Sequence, residues 1–477
     1  MDVFGNHRAY LKMGISVILM LAAGVAGSAQ SAPQKTRVFT LEEAVAFALK
    51  NYPAVRASLE RLRSAEAGVG LARTSYLPRT EVFWQSNRAT DNNIAGLTIP
   101  NSVVAPITGP VTLSPSNQSA WGSAGGLLFS WEPLDFGYRG ARVEAARAVQ
   151  SRAGAEASLT RLDVGIATVN AYLTLLAAAQ TVRAAEADLE RRETFSKSVH
   201  VLVDNQLRAG ADASRADAEQ ARARVNLARA QQLETTSRAQ LADILGIGDV
   251  EVEVGESTLL GTPPAAAPPP AAVSANPAAE VQRARVQESQ SLVHALDRSY
   301  YPKLYLQSVV MGRGSGVDPT GKFLGGAEGI GPDRANWGAA VTVTFPVFDI
   351  FSTKSKKDVE AANERAEEAR YDQVLQDLTG QLRKARASLD GARKVAENTP
   401  LELEAARTTE TQERARYRAG LATLVDVSEA QSLLVQAEID DSLAHLAVWQ
   451  NLASVAAAQG DLAPFLQSLH DKTPGAP

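Results

Sequence analysis

The sequence predicts a mainly helical protein with four membrane β-strands, built from one unit written twice. Three observations predict it. The N-terminus reads as an export leader, landmark residues recur at offsets of 224, 216 and 210, and the proline-poor stretches 139–245 and 352–458 alternate with short strands rich in Trp, Phe, Thr and Val.

In the leader, His7, Arg8 and Lys12 precede an apolar run from Met13 to Val25, and Gly27, Ser28 and Ala29 follow. That three-part pattern is a secretory signal peptide, residues 1–29, with cleavage expected after Ala29. As a membrane anchor, about 13 apolar residues would fall short of roughly 30 Å of hydrocarbon. No later stretch reaches about 18 consecutive apolar residues, so membrane insertion of the mature chain calls for β-strands. Composition narrows the function further. With 48 Lys+Arg against 53 Asp+Glu in 477 residues, the net charge is −5 and offers no basic footprint for nucleic acid. The lack of cysteine excludes disulfides, thiolate metal sites, cysteine nucleophiles and acylated anchors. His7, His200, His294, His445 and His470 are too scattered for a metal site, and no cofactor is expected. Only 6% of residues are aromatic, which argues against thick cores.

The repeat changes every later reading. Pro53 opens a helical stretch closed by Ser75-Tyr76-Leu77-Pro78-Arg79; Pro277 opens another, closed by Ser299-Tyr300-Tyr301-Pro302-Lys303. Leu134-Asp135-Phe136-Gly137, followed by Val143-Glu144-Ala145-Ala146, is echoed by Phe348-Asp349-Ile350-Phe351 with Val359-Glu360-Ala361-Ala362. Arg208-Ala209-Gly210 returns as Arg418-Ala419-Gly420. The expected organisation is a first repeat over 30–260, a Pro/Ala-rich extended linker over 261–277, a second repeat over 278–463 and a tail over 464–477.

Each repeat reads as short helix, two strands, long helical hairpin. Leu41 to Lys50 and Ala54 to Leu71 carry helical periodicity, with Thr40 and Glu43 set as a capping box. Strands are expected at 79–86, 119–131, 304–311 and 336–346. In the last, Trp337, Ala339, Val341, Val343 and Phe345 share one face. Trp84, Trp121, Trp131 and Trp337, four of the five tryptophans, lie in or beside these strands. Polar, Gly/Pro/Asn-rich loops over 87–118 and 312–335 join them. The helical stretches break at the two Arg-Ala-Gly tripeptides, where glycine can adopt the left-handed conformation that ends a helix. Each arm is then expected to be about 65 residues, or about 100 Å. Arms of that length are stable only side by side, and their many alanines let helix axes approach closely.

Strands that alternate apolar with small or polar residues suit an outer-membrane barrel, with Trp84, Trp121, Trp131, Trp337 and Phe345 near the lipid headgroups. Four strands cannot close one, because barrels start at eight, and open edges in lipid are prohibitive. Two copies would give eight strands and three would give twelve. A soluble four-stranded sheet capping a coiled coil is the other reading of the same strands.

Three segments carry a resemblance: Leu-Glu-Glu-Ala-Val-Ala-Phe-Ala-Leu-Lys-Asn-Tyr-Pro at 41–53, Leu-Asp-Phe-Gly-Tyr-Arg at 134–139, and Tyr-Arg-Ala-Gly-Leu-Ala-Thr-Leu-Val-Asp-Val-Ser-Glu-Ala-Gln at 417–431. From about residue 40 to 463 the chain resembles the TolC-like outer-membrane efflux proteins. The resemblance implies a homotrimer in which one 12-stranded barrel continues into a 12-helix periplasmic tunnel, open at the barrel and gated at the far tip. It implies a passive exit duct for an efflux or type I secretion system, working with a periplasmic adaptor and an inner-membrane pump. A non-pore periplasmic adaptor or scaffold is the alternative, although adaptors usually carry one hairpin between small β-domains.

The resemblance also places function at the tip. Gly420, Asp426 and Glu429 fit the family's inner carboxylate pattern, which in three copies would set six carboxylates in one constriction; like charges so confined raise their own pKa values and attract cations. Taken alone, Asp426 and Glu429 are an i, i+3 pair on a solvated helix. Tyr417 matches a tyrosine that takes part in closing the family's tip, whereas Ala422 replaces an arginine found there. The turn residues Arg208, Ala209, Gly210 and Ala211 with Asp217, and Tyr417, Arg418, Ala419, Gly420 and Leu421, are the expected adaptor-docking tips. Their bland reading is that any helical hairpin needs a turn.

Gly316-Val317-Asp318-Pro319-Thr320-Gly321-Lys322-Phe323 nearly spells a phosphate-binding loop, but Phe323 replaces the magnesium-binding hydroxyl and no helix follows. No nucleophile elbow, zinc-protease pattern or His/carboxylate cluster is present, so no enzymatic activity is expected.

Overall fold

The structure, a computed structural model, describes residues 37–90, 118–248, 250–255, 258–261, 263–264, 272–318, 320 and 322–470. The expected signal peptide, the central part of the linker and the end of the tail lie outside the described residues.

The chain runs β1 (Arg37–Phe39), α1 (Leu41–Asn51), α2 (Pro53–Thr74), β2 (Arg79–Thr90), β3 (Ser119–Leu134), α3 (Tyr138–Asp204), α4 (Gly210–Leu245), β4 (Val252–Val254), α5 (Pro277–Arg298), β5 (Lys303–Ser315), β6 (Arg334–Thr344), α6 (Asp349–Arg418), α7 (Leu424–Gln459) and α8 (Ala463–His470). Helix α1 starts at the expected capping box: Glu43 N–H donates to Thr40 Oγ1 at 3.2 Å, and Thr40 N–H donates to Glu43 Oε2 at 3.1 Å. Helices α2 and α5 both open on proline at the first turn, where a missing N–H costs nothing, and both have 22 residues.

The arms are unequal. Helices α3 and α6 have 67 and 70 residues, but α4 and α7 have 36 each, ended by the left-handed glycines Gly246 and Gly460. The expectation of 65-residue arms fails because the length of α3 is covered by three shorter helices. Helix α4 packs along one part of it, and α2 and α5 along the other. Helix α6 is covered in the same way by α7 and α5. One stretch of α3 is long and apolar enough to cross a membrane, yet 56% of it is buried inside the fold.

Where the short helices end, the thin wall thickens into a core. Strands β1 and β4 pair in parallel, Phe39 opposite Val254, and with α1 and α8 they surround α3, α4 and α7. Leu173, Leu241, Leu245, Leu452 and Phe465 are all buried there, as is the fifth tryptophan, Trp449, whose ring meets Phe465 edge-on at 6.2 Å. Tyr172 ties α3 to β1, its hydroxyl donating to the Phe39 carbonyl at 3.2 Å. Burial pushes that phenol up to about 12.

At one end of the bundle stands a fully antiparallel sheet in the order β2-β3-β5-β6. Strands β2, β3 and β5 run a few residues longer than the sequence pattern implied, whereas β6 has the expected 11 residues but begins and ends two residues earlier. The turn from β3 into α3 is built by Asp135. Its carboxylate accepts from Gly137 N–H at 3.2 Å, from Arg139 N–H at 2.6 Å and from Arg139 Nε at 2.9 Å, while Phe136 and Gly137 take positive φ. Burial raises the Asp135 carboxyl, but the hydrogen bonds and charge of Arg139 outweigh it and hold the group below its ordinary value. The Arg139 guanidinium continues to the Ser75 carbonyl and lies 4.8 Å from the Tyr76 ring, fastening the end of α2 to the start of α3. The echo in the second repeat lacks this device: Asp349 is exposed at the start of α6.

Candidate functional site

Two regions gather the chemistry, the sheet and the hairpin tips. Register decides what the sheet's faces are, because paired residues in a ladder share a face. Trp84 pairs with Gly125, Val82 with Leu127, Leu127 with Val310, Val310 with Trp337, and Trp131 with Leu306. Arg88 pairs with Trp121, four residues along from Gly125. All four strand tryptophans therefore stand on one face, together with Phe129, Leu304, Val341 and Val343. The opposite face carries Arg79, Glu81, Gln85, Asn87, Gln307, Asn336 and Thr342, interspersed with Phe83, Leu128, Tyr305, Val309 and Met311. On the apolar face Trp84 is 63% exposed and Trp337 82%, so this chain does not cover them itself. Trp121 and Trp131 are ten residues apart on one strand. That is about 33 Å of strand, or about 25 Å in height at a tilt of about 40°, which matches the apolar band of outer-membrane barrels.

Each tryptophan has a distinct setting. An added Cβ on Gly125 would lie 2.5 Å from the Trp84 ring, so glycine leaves the indole its place on the sheet. Trp131 Nε1 donates to the Tyr76 carbonyl at 3.1 Å, tying the sheet to α2. The Arg88 guanidinium sits 5.5 Å from the Trp121 ring at the opposite end. Phe345 lies just past β6 and is exposed, and the neighbouring Phe348 (85% exposed) and Phe351 extend its apolar surface, an extension at three-residue spacing that strand alternation did not reveal.

At the far end, the turns close with one geometry. Leu207 N–H donates to the Leu202 carbonyl and Gln206 N–H to Val203; in the second turn Leu421 N–H donates to Arg416 and Gly420 N–H to Tyr417. The left-handed residues are Gln206 (φ 59°) and Gly420 (φ 79°). Gly210 is not the turn glycine; it is the first residue of α4. The Arg-Ala-Gly echo is thus four residues out of structural register. By geometry Gln206 corresponds to Gly420, Leu207 to Leu421, Arg208 to Ala422 and Asp212 to Asp426.

Ala422 is buried in a small tip core with Phe195, Val199, Ala216, Tyr417, Leu424 and Val427. Arg208, at the equivalent place in the other turn, reaches across instead: its Nη2 donates to the Tyr417 carbonyl at 2.8 Å, and the guanidinium lies 4.4 Å from the Tyr417 ring. Tyr417 is 1% exposed, meets Phe195 edge-on at 5.3 Å, and points its hydroxyl at Asp212 Oδ2, 3.4 Å away. Asp212, which the sequence did not single out, is therefore the carboxylate at Tyr417. Asp217 belongs to the first hairpin alone, with Ser196 Oγ donating to it at 3.1 Å and His200 Nε2 at 2.8 Å.

Asp426 and Glu429 are exposed one turn apart on α7. Asp426 also completes a capping box, accepting from Thr423 N–H at 2.7 Å and from Thr423 Oγ1 at 2.8 Å. Those two hydrogen bonds, aided by the Arg416 charge, hold its carboxyl below the ordinary value within this chain, opposite to the rise expected of a crowded ring. Further from the tip, buried Arg192 links three helices: it pairs with Asp188 and with Glu219 of α4 at 2.9 Å, and donates to Ser432 of α7 at 3.2 Å. Arg191 and Glu438 form a two-pronged bond between the hairpins at 2.8 and 3.2 Å. Among the described residues no group of His and carboxylates could hold a metal ion.

Comparison with known proteins agrees with this architecture. The model of the family described as outer membrane efflux protein matches residues 45–247 and again 269–461. The chain belongs to the outer membrane efflux protein family. Its place is accordingly the outer membrane, with the helices on the periplasmic side. The fold is similar to that of CusC, with a TM-score of 0.73, 14% identity and coverage of 92% of this chain and 99% of that one. It is also similar to the Campylobacter jejuni outer membrane channel CmeC, with a TM-score of 0.71, 17% identity and coverage of 88% and 85%. Among curated proteins, Protein CyaE of Bordetella pertussis is 28% identical over 214 residues, which is 43% of this chain and 40% of that protein. The chain thus matches less than half the length of that relative. Within the family frame, exposed Leu207 and Leu421 become notable: one apolar residue caps each hairpin at equivalent positions, and only Leu421 was visible as a tip candidate.

Proposed function

We propose that three copies of this chain form an outer-membrane exit duct, in which a 12-stranded barrel opens outward and a 12-helix tunnel reaches into the periplasm. The single observation that carries it is a four-stranded sheet with all its tryptophans on one face and most of its polar side chains on the other, whose β2 and β6 are terminal in the sheet. In lipid, terminal strands would leave backbone groups unsatisfied at several kcal/mol each, and joining β2 to β6 of the next copy removes both edges. Twelve strands make an even-numbered barrel. The duct is passive, and its narrow end is the ring of hairpin tips. There Asp426 and Glu429 would face the pore, and the turns around Arg208–Ala211 and Arg418–Leu421 would meet a periplasmic adaptor that couples to an inner-membrane pump. Efflux and type I secretion are both served by such a duct. A non-pore adaptor gives no reason for four tryptophans on one sheet face.

The absence of native cysteine makes the test clean. Cysteine pairs scanned along β2 and β6, beginning with Val82→Cys and Ala339→Cys, should yield oxidised trimers in detergent, and the unmodified protein should conduct in planar bilayers. A chain that purifies as a water-soluble monomer, or that cross-links without conducting, refutes the duct.

A further inference from the structure

We propose that the contact between α3 and α5 inside each chain is the template for the contact between copies, and that Leu71 of α2 in one copy packs on Val359 of α6 in the next. The inference rests on the trimeric duct above and assigns the residues that close its helical wall. Helices α2, α3, α5 and α6 stand side by side in the order of their strands, with α3 packed on both α2 and α5, and α5 on both α3 and α6. The outer sides of α2 and α6 are left open. Over its 22 residues α2 buries only Val55, Ser58 and Val69, and between Asp349 and Leu378 α6 buries no residue.

The repeat sets the register. Pro53 and Pro277, 224 positions apart, open helices of equal length. From β3 onward the spacing is 214: Gly210 and Leu424 open helices of 36 residues that end at Gly246 and Gly460, and Ser130 and Thr344 hold the same place in their ladders, opposite Arg79 and Lys303. The Val-Glu-Ala-Ala echo is thus two residues out of structural register. The mapping holds where it can be read within the chain: Gln282 of α5 donates to Glu367 of α6, and their counterparts Ser58 and Ala153 are both buried.

Arg152 pairs with Glu288 at 2.7 Å and Arg285 with Glu156 at 3.7 Å, which fixes the level at which α3 meets α5. At that register Ala145 stands opposite Ala295, each 9% exposed. Their counterparts at the open sides are Val359, 59% exposed, and Leu71, 72% exposed. Further along, Ala362 falls opposite Gly68, Ala366 opposite Ser64 and Arg370 opposite Glu60. Arg370 is already paired with Glu367, Glu60 with Arg63, and Arg61 lies beside Glu60, so the charges add little and the apolar pair holds the seam. Bulk is exchanged between the two contacts. The chain's own has Leu292 beside two alanines, whereas the seam has Gly68 beside a leucine and a valine. A Cβ added to Gly68 would meet nothing within 4 Å, so its own chain gives no reason for glycine there.

The chain has no cysteine, so introduced pairs report cleanly. L71C/V359C in the full-length protein, purified in detergent and oxidised with copper phenanthroline, should give covalent dimers and then closed trimers, and neither single variant should. L71C/A366C, displaced by about 10 Å along α6, should cross-link about tenfold more slowly. G68F should lower the trimer fraction on the order of tenfold, because its ring would occupy the neighbouring helix's space. Equal or faster cross-linking in L71C/A366C, or an unchanged trimer fraction in G68F, overturns the proposal. If G68F fails to fold, the cysteine pairs decide. A mass of three chains without the L71C/V359C cross-link removes this register and leaves the duct, whereas any other stoichiometry removes both.

Discussion

Replacing Arg208 with alanine will loosen the tip far more than removing the Tyr417 hydroxyl. The guanidinium makes a 2.8 Å hydrogen bond to the Tyr417 carbonyl and stands 4.4 Å from its ring. Hydrogen bonds to charged groups contribute about 1.5–3 kcal/mol, and a cation over an aromatic ring at an exposed site about 0.5–1 kcal/mol. Arg208 is half-buried, which favours the lower ends of both ranges, so the link is worth about 2 kcal/mol per chain. At about 1.4 kcal/mol per factor of ten, R208A should raise the ratio of parted to joined tips about 30-fold. The Tyr417 hydroxyl, 3.4 Å from Asp212, makes a long contact, and Y417F should change the ratio by no more than about twofold. R208K should fall between, keeping charge but losing the planar fork. Single-channel open occupancy in planar bilayers reads the ratio. If Y417F opens the channel as much as R208A, or R208A leaves it unchanged, the assignment of the link to Arg208 is wrong.

Three further outcomes are expected. D135A breaks an ion pair whose side chains are 8% and 6% exposed and should cost about 3–5 kcal/mol in thermal unfolding, while D349A at the exposed echo should stay within about 0.5 kcal/mol. The His200 pKa is raised by its hydrogen bond to Asp217 and then by that residue's charge, so the pair's support for the first hairpin is present below the ordinary histidine value and is lost as pH rises through the raised one; amide exchange near 196–217 should quicken across that interval and lose the dependence in H200Q. D426N and E429Q should both lower cation selectivity, but only D426N should also fray the start of α7 in amide exchange, because Glu429 takes no part in the cap; equal selectivity in both variants and the parent would place neither in the pore.

The sheet and the helices were legible because their signals are local. Alternation in 336–346 and capping at Thr40 each depend on a few neighbouring residues. The β1–β4 pair was not legible, since two three-residue strands more than two hundred positions apart carry no periodicity of their own. Nor was the core around Trp449, whose aromatic and leucine residues come from seven helices and strands and the short turn at Leu259. The tip shows how a sequence match can mislead. Two identical Arg-Ala-Gly tripeptides suggested one alignment of the turns, and backbone geometry gives another, because a glutamine occupies the left-handed position of the first turn. That conformation costs a residue with a Cβ about 1–2 kcal/mol, which the paired turn hydrogen bonds offset. Glycine marks such a site when present, but its absence does not exclude one.

The unequal helix lengths carry a mechanical consequence. From the thick core to the turn, α4 and α7 are rigid rods of 36 residues, about 54 Å long. A rod of that length is a lever: tilting it by about 5° at the core carries its end sideways by about 5 Å. Side-chain adjustments around Leu241, Leu245 and Trp449 too small to disturb the packing would therefore be magnified into a displacement of the hairpin tips, which in the duct proposed above would be wide enough to admit a solute. The fulcrum lies where the short helices of each repeat meet, and substitutions there should tune the travel of the tips without touching them.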